Sequence, residues 1–198
     1  MKLASTVCII TLLVITSAQG ADTGGRFAIK GAGLASCQDY VEARAKKSEF
    51  VYSMLGWLDG YLTAYNQLSP STFDVAAWES ADLFARILDS HCEKHPQDRL
   101  FTVFRAIVDQ VMEDRLQMNS PLIPARNHEQ GLLIYQETLR RVQEELSARG
   151  HFSGEIDGQF RDSTRDALKA YQSEQGLDVS ELPDQATLWK LFRPSPKP

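Results

Sequence analysis

The sequence predicts an all-α protein made of two small helical domains. Apolar residues recur at the i, i+3/i+4 spacing of amphipathic helices in several successive segments. This periodicity is lost between residues 117 and 134, where two prolines and several polar residues are typical of a linker. The 198 residues, 43% of them hydrophobic, suffice for two small cores. We therefore expect helical domains over residues 21–116 and 135–193, with a tail at 194–198.

The first 20 residues have the pattern of a secretory signal peptide. Lys2 is followed by an apolar run from Val7 to Ile15 and by a small-residue cleavage site just before Ala21. The run is short for a membrane span, and a retained anchor is the alternative. We expect export across the inner membrane to the periplasm, with no transmembrane segment once the signal is removed.

The cysteine count agrees with export. Cys8 lies in the predicted signal, so the mature chain keeps Cys37 and Cys92. In an exported protein such a pair is most simply one disulfide, which would stabilise the fold by roughly 4 kcal/mol; two unpaired buried thiols are the alternative. The formal net charge of -5 argues against nucleic acid as a partner.

Four helices are predicted in the first domain. Ser36 is expected to cap the first helix, with Asp39 three residues on. The second carries a long apolar stripe and ends before Pro70; the stripe consists of Phe50, Met54, Trp57, Leu58, Tyr61, Leu62 and Tyr65. The third runs through residues 83–92 and the fourth through 100–111.

Three shorter helices are predicted in the second domain. The first presents Tyr135, Leu139, Val142 and Leu146 on one face and ends at Gly150. The second is expected to be capped by Asp162 or Ser163 and the third to follow Pro183-Asp184. In the connection between the first two, Ile156 and Phe160 are expected to point inward.

A series of motifs in the second domain carries a resemblance to a known family. They are V-Q-E-E-L from Val142, G-H-F from Gly150, G-E-I-D-G-Q-F from Gly154, T-R-D-A-L-K-A-Y-Q from Thr164, G-L at Gly176 and D-Q-A-T-L-W-K-L from Asp184. In content and order they resemble the peptidoglycan-binding-like module found beside many cell-wall hydrolases. The resemblance implies a three-helix domain that docks glycan strands or stem peptides and has no catalytic residue. The chain departs from the family in S-E-L-P-D, where a glycine usually precedes the last helix.

The resemblance implies a shallow groove with aromatic rings against sugar faces and polar groups at hydroxyls or carboxylates. The candidate peptidoglycan contacts are His151, Phe152, Arg161, Arg165, Tyr171 and Gln172, with the two arginines as carboxylate partners. The alternative is that the aromatic residues are core and that the arginines lie on a solvated face.

The first domain has motifs of a second family. S-C-Q-D-Y-V from Ser36, G-W-L-D-G-Y-L-T-A-Y-N from Gly56 and H-C-E-K-H-P from His91 resemble the HdeA-type helical periplasmic proteins, known for acid-stress chaperones. The resemblance implies that acid loosens the fold and exposes apolar surface to unfolding clients. The candidate client or partner surface is Trp57, Tyr61, Tyr65 and Trp78, with core packing as the alternative.

Catalytic and metal chemistry are not predicted. His91 and His95 share a helical face, but no third zinc ligand is evident, and the chain has neither a G-x-S-x-G elbow nor an S-x-x-K motif with its partners. We expect no enzyme activity, no metal and no cofactor. The sequence instead predicts a non-catalytic envelope protein that binds peptidoglycan through its second domain and presents its first domain to a protein partner or client. The alternatives are an acid-stress chaperone and an immunity or inhibitor protein against a wall-degrading toxin.

Overall fold

The computed structural model describes residues 21–193, and this part of the chain is mostly helical. Within it, seven α-helices and one antiparallel pair of strands follow in the order α1 Cys37–Ala45, α2 Phe50–Leu68, α3 Ala81–Cys92, α4 Leu100–Val111, β1 Leu122–Arg126, β2 Gly131–Tyr135, α5 Gln136–Ala148, α6 Asp162–Glu174 and α7 Gln185–Phe192. The predicted signal peptide and tail lie outside the described residues. No helix within residues 21–193 combines the length and hydropathy needed to cross a bilayer.

Contacts divide the chain after Lys30. In the short segment before it, the Asp22 carboxylate accepts hydrogen bonds from the backbone N–H groups of Gly24 at 2.9 Å and Arg26 at 2.8 Å, which closes a turn. From Gly31 to the end of the described chain the residues group into one compact unit. The division into two domains at residues 117–134 therefore stays a prediction.

The predicted cap of α1 is confirmed as a reciprocal capping box. Ser36 Oγ accepts a hydrogen bond from the Asp39 N–H at 3.1 Å, and the Asp39 carboxylate accepts one from the Ser36 N–H at 2.8 Å. The bond from the Ser36 backbone holds the pKa of Asp39 below its usual value. Such a cap contributes about 1 kcal/mol to helix stability.

The predicted disulfide is also confirmed. Cys37 at the start of α1 is bonded to Cys92 at the end of α3, and their Cα atoms lie 4.7 Å apart. Both cysteines are buried in the core of the helical unit, by which we mean residues 31–116. Besides the two cysteines, this core contains Tyr40, Met54, Leu58, Phe84, Leu88, Leu100, Val103, Phe104 and Ile107.

An antiparallel hairpin lies in the segment predicted as a linker, so the all-α expectation was incomplete. Leu122 pairs with Tyr135 at one end of the hairpin and Arg126 with Gly131 at the other. Ala125 and Ile134 are buried in the same core cluster as the helices that follow. The prolines at 121 and 124 suggested an unstructured segment, but Pro124 lies in β1 of this two-stranded sheet, where a missing N–H is tolerated on an edge.

Helices α5, α6 and α7 form the C-terminal module, residues 135–191. Helix α7 begins directly after Pro183-Asp184, as expected, and Asp184 caps it by accepting from the Thr187 N–H at 2.9 Å. The predicted cap of α6 was wrong: the cap position is Arg161, which is extended and makes no side-chain capping bond, and Asp162 is already helical. The inward prediction for Ile156 was wrong as well, since its side chain is 40% exposed, whereas Phe160 packs on the core.

Candidate functional site

The turn between α5 and α6 is held from inside the module by one buried glutamine. Gln143 Nε2 donates to the Gln159 carbonyl and to Thr164 Oγ1, both at 3.0 Å. Its Oε1 accepts from the N–H groups of Asp157 at 3.0 Å and Gly158 at 2.8 Å. Every hydrogen-bonding group of this amide is used, so the acid-rich connection is held in one conformation from inside the module.

Position 158 of this turn requires a glycine. Its φ is +70°, a conformation that side chains with a Cβ rarely adopt. A Cβ there would also lie 2.4 Å from the carbonyl oxygen of Gln136, a backbone atom that cannot move away cheaply. The start of α5 and the turn therefore pack backbone against backbone.

A second buried glutamine holds the connection between α6 and α7. The two N–H groups of Gln172 Nε2 are shared among three acceptors: Ser180 Oγ at 3.0 Å, the Leu182 carbonyl at 2.9 Å and Thr187 Oγ1 at 2.8 Å. Its Oε1 accepts from the Glu181 N–H at 2.9 Å. Sequence reasoning treated Gln172 as a candidate ligand contact and overlooked Gln143; the signal for both was a polar residue beside apolar neighbours on the inward helical face.

Three of the six predicted peptidoglycan contacts lie inside the module. Phe152, Tyr171 and Gln172 are buried in its core. His151 is mostly covered, with its ring edge-on to Tyr171 at 5.5 Å between centroids and its Nε2 3.3 Å from the Glu174 carboxylate. As placed, these residues shape the module and leave little surface for a ligand.

The two predicted arginines lie at the surface, one turn apart at the start of α6. Arg161 bonds the Asp157 carboxylate at 2.5 Å, and its side chain is 56% exposed. Arg165 bonds Asp162 at 3.0 Å and lies 3.7 Å from Glu181. An ion pair with as exposed an arginine as Arg161 contributes roughly 0–1 kcal/mol, so a ligand carboxylate can replace Asp157 at little cost. The Arg165 side chain is only 26% exposed and is less available.

A groove of about 630 Å³ runs beside this turn. Asp157 and four residues of α5 line one side, and the chain from Leu116 to Pro121 lines the other; the α5 residues are Gln136, Glu137, Arg140 and Arg141. Hydrogen bonds from Arg140, and then from Arg141, hold the pKa of Glu137 below its usual value. The groove therefore presents paired charges, suited to a polar ligand that exchanges hydrogen bonds with them.

The four predicted partner residues do not lie together. Trp57 and Tyr61 stack at 5.5 Å between centroids, Tyr65 follows at 6.0 Å from Tyr61, and Phe101 of α4 meets both Trp57 and Tyr61 edge-on. We call these four residues the aromatic row; all are half-buried. Trp78 instead packs against Phe192 of α7, at 5.5 Å between centroids.

Trp78 belongs to a junction cluster between the helical unit and the end of α7. The cluster consists of Trp78, Glu79, Asp114, Gln185 and Arg193. Arg193 pairs with Asp114 and lies over the Trp78 ring, while its Nη2 is 3.6 Å from Glu79 Oε1. Four buried side-chain atoms in the described chain have no hydrogen-bond partner, and all belong to this cluster: Trp78 Nε1, Glu79 Oε1, Gln185 Nε2 and Arg193 Nη2.

Burial has the largest effect on the pKa of Glu79. Its side chain is 1% exposed, and this burial raises its pKa to about 7, against the opposing hydrogen bonds from its own and the Trp78 backbone N–H. Nearby Arg193 lowers the pKa and Asp114 raises it. Glu79 is therefore a carboxyl group that titrates near neutral pH inside the molecule.

The histidines suggested by sequence do lie together. His91 and His95 are 4.6 Å apart between ring centroids, and His91 Nε2 is 2.9 Å from the Asp98 carboxylate. Within residues 21–193 no group of three or more metal-ligating side chains is arranged to hold an ion.

Comparison with known proteins identifies the C-terminal module. Residues 135–191 match the family described as "Putative peptidoglycan binding domain". Neither the curated proteins nor the solved structures gave a match. The resemblance of the first domain to HdeA-type proteins has no support from these comparisons and stays a prediction. The matched segment begins just before α5 and ends within α7, so the three helices that enclose Gln143 and Gln172 form a peptidoglycan-binding-like module, a binding rather than a catalytic type of domain.

Proposed function

We propose that this protein is a non-catalytic protein of the cell envelope that binds peptidoglycan through its C-terminal module and presents its helical unit to a protein partner. The match of residues 135–191 to a peptidoglycan-binding family carries the proposal. The N-terminal signal pattern supports export, and the Cys37–Cys92 disulfide is the kind of cross-link that persists in oxidising compartments.

We assign wall binding to the surface around the α5–α6 turn. Arg161, Arg165 and the groove beside Asp157 offer charged groups that are held in ion pairs with neighbouring side chains, and Arg161 is the more exposed of the two arginines. Stem peptides carry carboxylates, which arginine binds through charge-assisted, often bidentate hydrogen bonds. The buried Gln143 holds this surface rigid, so little conformational entropy is lost on binding.

For the helical unit we propose the aromatic row as the partner surface. Its rings stack on each other rather than filling the core completely, and aromatic side chains dominate the binding energy of many protein interfaces. Anchoring on the wall would raise the local concentration of a weak binder near its partner.

The direct test is sedimentation of the full chain with purified sacculi. We expect the protein to pellet, and the double variant Arg161→Ala/Arg165→Ala to bind at least about tenfold more weakly. Arg105→Ala, which changes an exposed arginine of α4, is the matched control and should bind like wild type. If the wild-type protein stays in the supernatant, anchoring to the wall is ruled out. If the double variant binds as well as wild type, the binding site does not include Arg161 and Arg165.

An acid-stress chaperone is a second candidate, favoured by the capping box of α1. Protonation of Asp39 at low pH neutralises its carboxylate, weakens the hydrogen bonds that it accepts from Ser36 and so loosens the start of the helical unit beside its disulfide. This function predicts that the protein suppresses aggregation of a model client near pH 3, below the ordinary carboxylate pKa values. Failure to suppress aggregation at any acid pH would exclude it.

A further inference from the structure

A shallow pocket of about 520 Å³ lies between α3 and α7. Trp189 of α7 forms one wall. Leu83, Ile87 and Ser90 of α3 contribute to the other, together with four basic side chains: Arg86, His91, Lys94 and His95. No acidic residue of the described chain lines this pocket.

The indole of Trp189 is exposed and is not buried in the core of the module. Its helical neighbours Leu188 and Leu191 are 4% and 1% exposed and fill the core, whereas Trp189 is 41% exposed. A large aromatic face at the rim of a pocket is a surface on which the apolar face of a sugar ring can pack.

The charged and titratable side chains that line the pocket are all basic, and two of them are paired with carboxylates outside the lining. His91 is already bonded to Asp98, which lies outside the pocket lining. Arg86 bonds Asp82 at 3.0 Å, but both side chains are well exposed, at 58% and 74%, so this pair contributes little and can be exchanged for a ligand carboxylate. Arg86 and Lys94 therefore supply two permanent charges opposite the indole.

We propose that this pocket is a second peptidoglycan subsite that binds a muropeptide, with a glycan sugar packed on Trp189 and a stem-peptide carboxylate bonded to Arg86 and Lys94. The proposal rests on the proposed wall-binding function. A neutral sugar would leave the two cations unused, and a peptide without a sugar would leave the indole exposed. A ligand that joins a sugar to an acidic peptide uses both, and its site is complete only because α3 of the helical unit faces α7 of the module.

The test is titration of the full chain with three soluble probes, followed by isothermal calorimetry and NMR. The probes are a disaccharide tetrapeptide released from peptidoglycan, the neutral sugar di-N-acetylchitobiose, and the free stem tetrapeptide. We expect the disaccharide tetrapeptide to bind at least about tenfold more tightly than either fragment, because only it offers both a sugar face and carboxylates. Equal affinity for either fragment overturns the proposal.

Variants assign the binding to this pocket. Trp189→Ala and the double variant Arg86→Ala/Lys94→Ala should each weaken muropeptide binding at least about fivefold, while Trp189→Phe should retain most of it because a ring remains. Arg105→Ala is the control for charge. All four changes are at exposed or partly exposed positions, and an unchanged circular dichroism melting curve would show that each variant is folded. Muropeptide binding that survives both Trp189→Ala and the double variant contradicts the assignment.

Sacculus sedimentation separates this inference from the function on which it rests. If wild type pellets with sacculi but muropeptide binding is unaffected by the pocket variants, the second subsite is wrong and wall anchoring stands. If wild type does not pellet and binds no muropeptide, both fail. Muropeptide binding that depends on Trp189 without sedimentation supports the pocket and contradicts anchoring to the intact wall.

Discussion

Buried polar groups need hydrogen-bond partners, and two regions of this molecule differ in how far they provide them. The regions are the buried glutamines of the C-terminal module and the junction cluster. Gln143 and Gln172 pair all of their amide groups with turns inside the module. At the junction, Glu79 and Arg193 lie 3.6 Å apart and each keeps a buried atom without a hydrogen bond. A fully satisfied network specifies one conformation, whereas an incompletely satisfied one lies closer to rearrangement.

This comparison indicates where the chain is rigid and where it can respond. The satisfied networks lie in the C-terminal module, and they fix its loops. The incomplete one lies where module and helical unit meet, and it contains a carboxyl group that titrates near pH 7. We therefore expect substitutions inside the module to lower the free energy of unfolding by an amount that does not depend on pH. Substitutions at the junction should instead change how the free energy of unfolding depends on pH.

The largest effect is expected from Gly158→Ala. A Cβ there meets the Gln136 carbonyl at 2.4 Å in addition to the strain of a positive φ, so we expect a loss of about 4 kcal/mol in the free energy of unfolding. Gly150→Ala is the matched control: its φ is +79° but nothing lies within 4 Å, so only the backbone strain of about 1 kcal/mol applies. Urea unfolding followed by circular dichroism measures both, and equal losses would show that the close approach is unimportant.

Gln143→Leu tests the satisfied network directly. Leucine has approximately the volume of glutamine but leaves the N–H groups of Asp157 and Gly158 without their acceptor. We therefore expect the free energy of unfolding to fall by about 3 kcal/mol. The counterpart at the junction is Gln185→Leu, which removes an amide nitrogen that has no partner and one hydrogen bond from the exposed Ser80 N–H. We expect it to lower the free energy of unfolding by about 1 kcal/mol or less. If Gln185→Leu were as costly as Gln143→Leu, the contrast between the two regions would be wrong.

The pH dependence of stability should identify Glu79. Its pKa of about 7 in the folded chain lies above the 4.5 of an ordinary glutamate, so between these values the folded state keeps a proton that the unfolded state has lost. The free energy of unfolding therefore falls by about 3 kcal/mol from this group as pH rises from about 4.5 to about 7, and it levels off above that pH.

Glu79→Gln removes this titration and provides the reference. Other carboxyl groups act in the opposite direction: hydrogen bonds and arginines lower the pKa values of Asp39, Glu137 and Asp157, so their stabilisation is lost as pH falls below about 4.5. The difference between wild type and Glu79→Gln, measured by urea unfolding from pH 5 to 8, isolates Glu79. A difference that does not change with pH contradicts a buried titrating carboxyl group.

The smallest effect is expected from Arg161→Ala. Its bond to Asp157 is exposed, so the free energy of unfolding should change by less than about 0.5 kcal/mol. The same variant in the sacculus assay would then report on binding alone. A large loss of stability would mean that Arg161 supports the turn and cannot be assigned to a ligand.

Much of the local structure was predictable because it depends on neighbours in sequence. The i, i+3/i+4 stripes predicted helices α2 to α7, and the Ser36 cap predicted α1. Errors arose where contacts are distant along the chain. The hairpin was missed because its short strands carry a proline, yet Ala125 and Ile134 are drawn into the module core.

The candidate site was less predictable than the fold. The motifs identified the module but could not separate residues that face a ligand from residues that face its core, since aromatic and amide side chains serve both purposes. Phe152, Tyr171 and Gln172 lie inside, while Trp189 lies outside at a pocket completed by α3. Sequence by itself determined the helices, the cysteine pair and the peptidoglycan-binding-like module, because short-range periodicity and motif order encode them. Only the tertiary structure decided which polar groups are satisfied, that Glu79 is buried beside Arg193 and that Arg86 faces Trp189, because these depend on packing between segments roughly a hundred residues apart.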